Sequence, residues 1–308
     1  QLFMTNSEEN KFWFDELGVK YSEDKSILIK SVSKLENYEI HNGCTTIARC
    51  AFELCSIKTI KIPNSVVNIN EMAFFRCYLL EEIIIPNSVT FIGFEAFSES
   101  SLKYVHLPKY LTYIEDRMFK GCNSLLSIEI PDSVERIGER AFYRCTSLRT
   151  ISIPNSVQQF GGAFLNGCNS LANIYFNNEQ IKINDIYLFT KDNLLISSII
   201  KKEFVSIDIP DYIEIIGNGA FSGANNVEKV NLHDKIYRLE DWSFFFFFKL
   251  YETIEIPNSV NYIGLGAFMY CHNLNYIDIP LNIKTIHSST FYKCSRLRKV
   301  QLPYGIKN

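Results

Sequence analysis

Nine cysteines and five histidines are the residues of this 308-residue chain best suited to chemistry. Gathered cysteines could hold zinc or cycle between thiol and disulfide, and histidine could serve as a ligand or general base. Their spacing argues against all of these. Seven of the cysteines (Cys55, Cys77, Cys122, Cys145, Cys168, Cys271 and Cys294) are separated by 22, 45, 23, 23, 103 and 23 residues. A zinc site needs pairs two to four residues apart. These intervals instead follow one period and its multiples. They read as a column of small buried thiols, with neighbouring coils packed like helices at roughly 8–10 Å. That is too far apart for a disulfide, whose Cα limit is about 7 Å. Cys44, Cys50 and Cys55 form C-x5-C-x4-C, a poor ligand spacing. The histidines (His41, His106, His233, His272 and His287) are scattered, and no nucleophile elbow, P-loop, H-E-x-x-H or G-x-G-x-x-G motif occurs. The expectation is a non-enzyme with no catalytic residue, no metal site and no cofactor.

Composition narrows the alternatives. The net charge of −3 offers nothing to nucleic acid or to an anionic membrane. The longest apolar run, around Trp242–Tyr251, is broken by Lys249 and is too short to span a bilayer. An apolar share of 47% with 24 phenylalanines is enough for a substantial core.

The period lies in the prolines. "IPNSV" begins at Ile62, Ile85, Ile153 and Ile256, and "IPDSV" at Ile130. Allowing His41, Asn177 and His233 into the proline slot yields eleven units, starting near residues 41, 63, 86, 108, 131, 154, 177, 210, 233, 257 and 280. In the unit 131–153, Ile151 and Ile153 alternate with Ser152 as in a strand. The Pro-Asn or Pro-Asp pair then makes a turn. Val-x-x-Ile-Gly reads as a second short extended segment, and "ERAFYRC" as one or two helical turns. Phe142 has counterparts at Phe52, Phe74, Phe97, Phe119, Phe221, Phe244, Phe268 and Phe291, while "GGAFLNGC" slips by one and puts Leu165 in that slot. The column predicts a stacked aromatic spine. In the run 244–248 the first Phe is assigned to the spine and the others to compositional drift. A unit this small buries its apolar face only by stacking on the next, so the chain reads as a solenoid.

The pattern L-x-x-I-x-I-P-[ND]-S-V-x-x-I-G-x-x-A-F-x-x-C resembles the BspA-type leucine-rich repeat over nearly all of residues 41–308. The resemblance implies a horseshoe with a parallel sheet on its concave face and short helical turns on its convex side. It also implies adhesion or protein binding at the surface of host-associated bacteria or parasitic protists. A secreted or cell-surface location is therefore expected. The alternative is an intracellular scaffold, which the reduced cysteines and the lack of any N-x-[ST] sequon keep open.

"VKYSEDKSILIKS" (19–31) and "YLFTKDNLLISS" (187–198) both read as hairpins with a charged turn. They suggest an N-terminal cap over 1–40, a first repeat block over 41–176, an irregular unit with an insert over 177–209, and a second block over 210–308. The chain opens on Gln1, and its last residues stop just past the turn of a new repeat, which predicts further chain beyond Asn308.

Binding by such a fold is expected on outward strand positions. One column runs Lys61, Ile84, His106, Glu129, Ser152, Tyr175, Asp208, Asn231, Glu255, Asp278 and Gln301; its neighbour includes Tyr104 and Tyr276. The candidate binding residues are Tyr104, His106, Glu129, Tyr175, Asp208, Asn231, Glu255, Tyr276 and Asp278. The tyrosines would be anchors, and the acids would dock a basic segment of a protein partner such as an extracellular matrix or host surface protein.

Overall fold

The computed structural model describes residues 11–176, 178–201, 203–250 and 252–306; Asn177, assigned above to a proline slot, lies outside them. Each coil makes two strands and a turn-rich third side. The first strands run Asn37–Glu39, Thr59–Lys61, Glu82–Ile84, Tyr104–His106, Ser127–Glu129, Thr150–Ile153 and Asn173–Phe176, then Ser206–Asp208, Lys229–Asn231, Glu252–Thr253, Leu274–Asp278 and Lys299–Gln301. Paired neighbours run parallel, in register as in Ser127↔Thr150↔Asn173, with a shift between Glu252–Thr253 and Leu274–Asp278. The Val-x-x-Ile segments make a second parallel ladder of two-residue strands, for example Tyr113–Ile114, Arg136–Ile137 and Gln159–Phe160. The leucine-rich architecture expected from the repeat is present, with one difference on its third side.

That side holds no helix among the described residues. In the coil containing "ERAFYRC", alternate amides point along the solenoid: Arg140, Phe142 and Arg144 donate to Gly162, Phe164 and Asn166 carbonyls of the next coil at 3.0, 2.9 and 2.8 Å. The amides between them close tight turns within the coil, as in Tyr143 to Arg140 at 3.0 Å and Cys145 to Phe142 at 3.1 Å. An α-helix would keep every N–H inside its own coil. Directing every second one outward requires left-handed residues, here Arg140 (φ 53°) and Arg144 (φ 59°), with the same pair recurring as Met72 and Arg76 or Glu95 and Glu99.

Direct hydrogen bonding brings the coils together. Phe52, Phe74, Phe97, Phe119 and Phe142 stack in sequence with centroids 5.0, 5.4, 5.5 and 5.5 Å apart and planes within 8° of parallel. Phe221, Phe244, Phe268 and Phe291 form a second stack. The glycine of the Ile-Gly pair is demanded by this approach rather than by its own φ: a Cβ on Gly138 would lie 2.5 Å from the Asp116 amide nitrogen. In the phenylalanine run, Phe247 is as buried as Phe244 and fills the slot that cysteine takes in other coils. Compositional drift therefore does not account for that second ring.

The stack is broken at Leu165, and a three-stranded antiparallel unit follows: Ile181–Asn184, Tyr187–Thr190 and Leu194–Ser198. Its last strand starts a new parallel ladder through Leu194↔Ile215. The N-terminal residues do the same with Phe12–Phe14, Lys20–Ser22 and Ile27–Lys30, the last pairing through Ile27↔Thr46. Asn166 joins the two series. Its side-chain oxygen accepts from Ser197 Oγ (2.6 Å) and the Ser198 amide (3.0 Å), and its Nδ2 donates to Gly219, Ala220 and Ser222 carbonyls at 3.0, 2.9 and 3.3 Å.

Two substitutions test these supports. Phe142→Ala removes a ring stacked within the spine and should cost about 3–5 kcal/mol of unfolding free energy in urea titrations. Asn166→Ala strands the Ser222 carbonyl, the Ser198 amide and the proton of the buried Ser197 hydroxyl, and should cost about 2 kcal/mol or more. Asn169→Ala, with no such role, should stay within about 0.5 kcal/mol; equal losses for the two asparagine variants would contradict the assigned role of Asn166.

Candidate binding face

Strand alternation turns Val105, Ile128, Ile151 and Ile207 inward and leaves their neighbours outward. The in-register pairing then aligns the outward residues across coils. His106 lies opposite Ile84, and Glu129, Ser152 and Tyr175 follow one another. In the adjacent column Tyr104 lies opposite Glu82. Ile84, Tyr104 and Tyr175 are 64%, 47% and 60% exposed. A shallow groove of about 790 Å³ crosses this end of the face, lined by Ile60, Ile84, Tyr78 and Leu79 among others. Ion pairs surround it: Lys58–Glu36, Lys61–Glu39 and Lys103–Glu81 at 2.8, 2.6 and 2.9 Å, with His106 3.3 Å from Glu82.

The remaining candidate residues form a separate group. The ladder that ends with Asn173–Phe176 is not continued by Ser206–Asp208, which pairs onward with Lys229–Asn231. The antiparallel unit intervenes, and Tyr187 Oη donates to the Asp208 backbone carbonyl at 2.7 Å. The face expected as one unbroken column is thus interrupted, with Tyr104, His106, Glu129 and Tyr175 before the antiparallel unit and Asp208, Asn231, Glu255, Tyr276 and Asp278 after it. Asn231 donates to the Asp208 carboxylate at 2.6 Å, and Tyr276 Oη donates to Asp278. That bond raises the Tyr276 phenol above its ordinary range. Lys299 lies 5.4 Å from the Tyr276 ring centroid. Among the described residues, none of the ion pairs involves Asp208, Glu255 or Asp278.

Sequence reasoning missed the first position of each column, Asn37 and Glu39, by placing them in the cap; "NYEI" carries the strand alternation that would have found them. It also missed Tyr78 and Leu79, which lie outside the strands where no period marks them.

The cysteine column is explained by the same ladder. Sγ of Cys77, Cys122, Cys145, Cys168, Cys271 and Cys294 each donates to the spine-phenylalanine carbonyl of the preceding coil, at 3.0–3.3 Å. Because the coils are hydrogen-bonded directly, the helix-like separation expected above does not hold. All nine thiols are free, and each of the six is engaged by its carbonyl. Among the described residues, no group of three His, Cys, Asp or Glu is placed to hold a metal, and no helix is long and apolar enough to cross a membrane.

Parallel coils built on an L-x-x-I-x-I strand and a phenylalanine spine define a leucine-rich repeat solenoid. The chain belongs to the BspA type leucine rich repeat region family, which matches residues 28–135, 112–205 and 197–308 in six copies. Three solved structures are similar in fold. A leucine-rich repeat protein from Eubacterium ventriosum is 21% identical, with a TM-score of 0.66 over 92% of this chain and 75% of its own. A leucine rich cell surface protein from Faecalibacterium prausnitzii is 24% identical, with a TM-score of 0.64 over 97% and 90%. The pneumococcal vaccine antigen PcpA is 18% identical, with a TM-score of 0.58 over 94% and 87%. No functionally curated protein matches the chain.

Burial gives the thiols a measurable consequence. It pushes Cys122 and Cys168 up to about 12, and Cys145 and Cys271 well above the ordinary thiol value. Between pH 9 and 12 the folded state therefore keeps protons that the unfolded state releases, so stability should fall as pH rises through this window. Each such thiol contributes a slope of up to about 1.4 kcal/mol per pH unit. Cys122→Ala should flatten the dependence of unfolding free energy on pH above 9 by one proton, measured against its own value at pH 7.

Proposed function

We propose that the chain is a non-catalytic protein-binding module, working at a cell surface in adhesion to a host or matrix protein. The observation that carries this reading is the exposure of Ile84, Tyr104 and Tyr175 on strands whose backbones are each hydrogen-bonded to the strand of an adjacent coil. Large apolar and aromatic side chains held without rotational freedom in the backbone lose little entropy on docking, which suits them as interface anchors. The surrounding ion pairs resemble the polar rim that shields such anchors from water. The presence of a cell surface protein and a vaccine antigen among the structural neighbours agrees with a surface location.

The candidate residues divide the work between the two sides of the antiparallel unit. Tyr104, His106, Glu129 and Tyr175 supply anchoring contacts. Asp208, Asn231, Glu255, Tyr276 and Asp278 supply an acidic surface whose carboxylates form no ion pair among the described residues, which favours a basic segment. The repeat blocks over 41–176 and 210–308 would then be two binding units set apart by the insert at 177–209.

Association with fibronectin and fibrinogen, followed by surface plasmon resonance at low and physiological salt, tests both parts. The combined Asp208→Lys, Glu255→Lys and Asp278→Lys variant should slow association by about tenfold or more at low salt. Tyr104→Ala and Tyr175→Ala should mainly speed dissociation, each weakening binding by about 1–2 kcal/mol. Binding unaffected by all of these variants would remove the face from consideration. Absence of binding to any matrix or host protein would count against adhesion and favour the intracellular scaffold.

A further inference from the structure

Where the internal antiparallel unit interrupts the third side of the solenoid, a cleft of about 590 Å³ opens, of the size that takes a small ligand. Its walls come from coils on either side of the interruption, with Asn123, Arg144 and Asn169 before it and Ser222, Asn225 and Asn226 after it. None of its lining residues is acidic, and only Ile200 and Ala224 are apolar. Arg144 is exposed and has neutral company: its guanidinium lies 5.4 Å from the Tyr143 ring centroid. Asn225, oriented to satisfy both of its neighbours, donates to the Phe246 carbonyl at 3.0 Å and accepts from Arg144 Nη2 at 3.1 Å. The fork of that guanidinium thus keeps donors to spare. Ser222 is 2% exposed, and its hydroxyl has no hydrogen-bond partner. Asn226 is different in kind, because its Nδ2 is committed to the Lys201 and Phe204 carbonyls, both at 2.8 Å.

A single unneutralised guanidinium in a cleft of amides and hydroxyls selects a particular ligand chemistry. The guanidinium can donate two parallel hydrogen bonds to a carboxylate. Side-chain amides offer donors and acceptors together, which match vicinal hydroxyls. The scarcity of apolar wall disfavours a lipid or an aromatic ligand, and one cation is weak provision for a polyphosphate. We infer that this cleft binds a carboxylate-bearing sugar residue, with Arg144 on the carboxylate and the amides of Asn123, Asn169 and Asn225 on the hydroxyls. The site is separate from the strand face proposed for protein binding, and neither reading depends on the other.

Isothermal titration and ligand-observed NMR with the whole chain test the inference, using N-acetylneuraminic acid and glucuronic acid as probes. Glucose, N-acetylmannosamine and acetate serve as controls. Saturable binding of an acidic sugar is expected, at least about tenfold tighter than its neutral counterpart or acetate, since a charge-assisted bidentate contact is lost or stands alone. Arg144→Gln should weaken it by about tenfold or more. Asn169→Asp, which places a like charge beside the carboxylate without changing side-chain size, should weaken it comparably. Circular dichroism melting of both variants establishes that they remain folded. If sialyllactose binds more tightly than the free acid, the ligand is the end of a glycan; if it does not, the ligand is the free monosaccharide. The inference fails if no acidic sugar saturates the protein, if acetate or a peptide C-terminus binds as tightly, or if folded Arg144→Gln and Asn169→Asp proteins bind like the parent.

Discussion

Hydrogen bonds between coils on the turn side set the terms for the rest of the molecule. Once Arg140, Phe142 and Arg144 spend their amides on the next coil, the coils must sit at strand spacing on all three sides. A helix on the third side would have held them wider apart and splayed the sheet. That one commitment accounts for several features of the repeat that are otherwise unrelated. The left-handed residues recur four apart because alternate amides have to change direction. The glycine after isoleucine recurs because the preceding coil's backbone occupies the space of a Cβ. Phenylalanine rings recur in parallel because a flat side chain fits a repeat of about 5 Å, and an offset stack suits their quadrupoles. Cysteine recurs because a small, weakly polar side chain can reach the carbonyl of the spine residue below without needing water.

The same terms explain what happens where the period fails. Leu165 cannot continue an aromatic stack, and the carbonyls and amides beyond it would face nothing. The chain answers with an antiparallel unit that ends one ladder and starts another in the way the N-terminal unit starts the first. The coils on either side still approach closely, since a Cβ on Gly162 would lie 2.0 Å from the Asn218 carbonyl oxygen. A long polar side chain is needed there to satisfy groups that a regular coil would have paired, and buried Asn166 supplies donors and acceptor at once. The cost of the insertion is local. Each series keeps its own apolar cluster, Val19 to Ile199 and Ile186 to Ile283.

Much of this architecture was legible because each column appears many times. Nine phenylalanines and seven cysteines at one interval identify their slots, and even the slip to Leu165 could be seen against them. What repetition could not reveal is how a segment satisfies its backbone. "ERAFYRC" places Ala141, Phe142 and Cys145 as a helix would, and the choice between helix and turns lies in amides that point out of the coil. Phe247 was misread because its column is otherwise cysteine or a smaller residue, so that a large ring looked accidental. The break in the strand face was hidden as well, since the outward residues of each coil still fit one pattern on either side of it. The cleft beside Arg144 had no sequence signature at all. Its walls are brought together from positions as far apart as Asn123 and Asn226 by an insertion whose effect is three-dimensional.

A solenoid divides its residues sharply between those the stack requires and those it leaves free. Inward positions, the glycine slot and the turn proline answer to neighbours above and below, so they converge on one solution coil after coil. The outward strand positions have no such neighbour on their far side, and the ladder beneath them is held by backbone groups whatever side chain is present. Variation there costs the fold little. For that reason the pattern defining the family is silent about the ligand, while the departures from blandness on its surface are informative. An isoleucine at 64% exposure gains nothing for stability by being there. Neither do two half-exposed tyrosines, nor three carboxylates that form no ion pair among the described residues. Side chains that the fold does not need, on a backbone it cannot move, are the ones through which a repeat protein can acquire specificity without renegotiating its core.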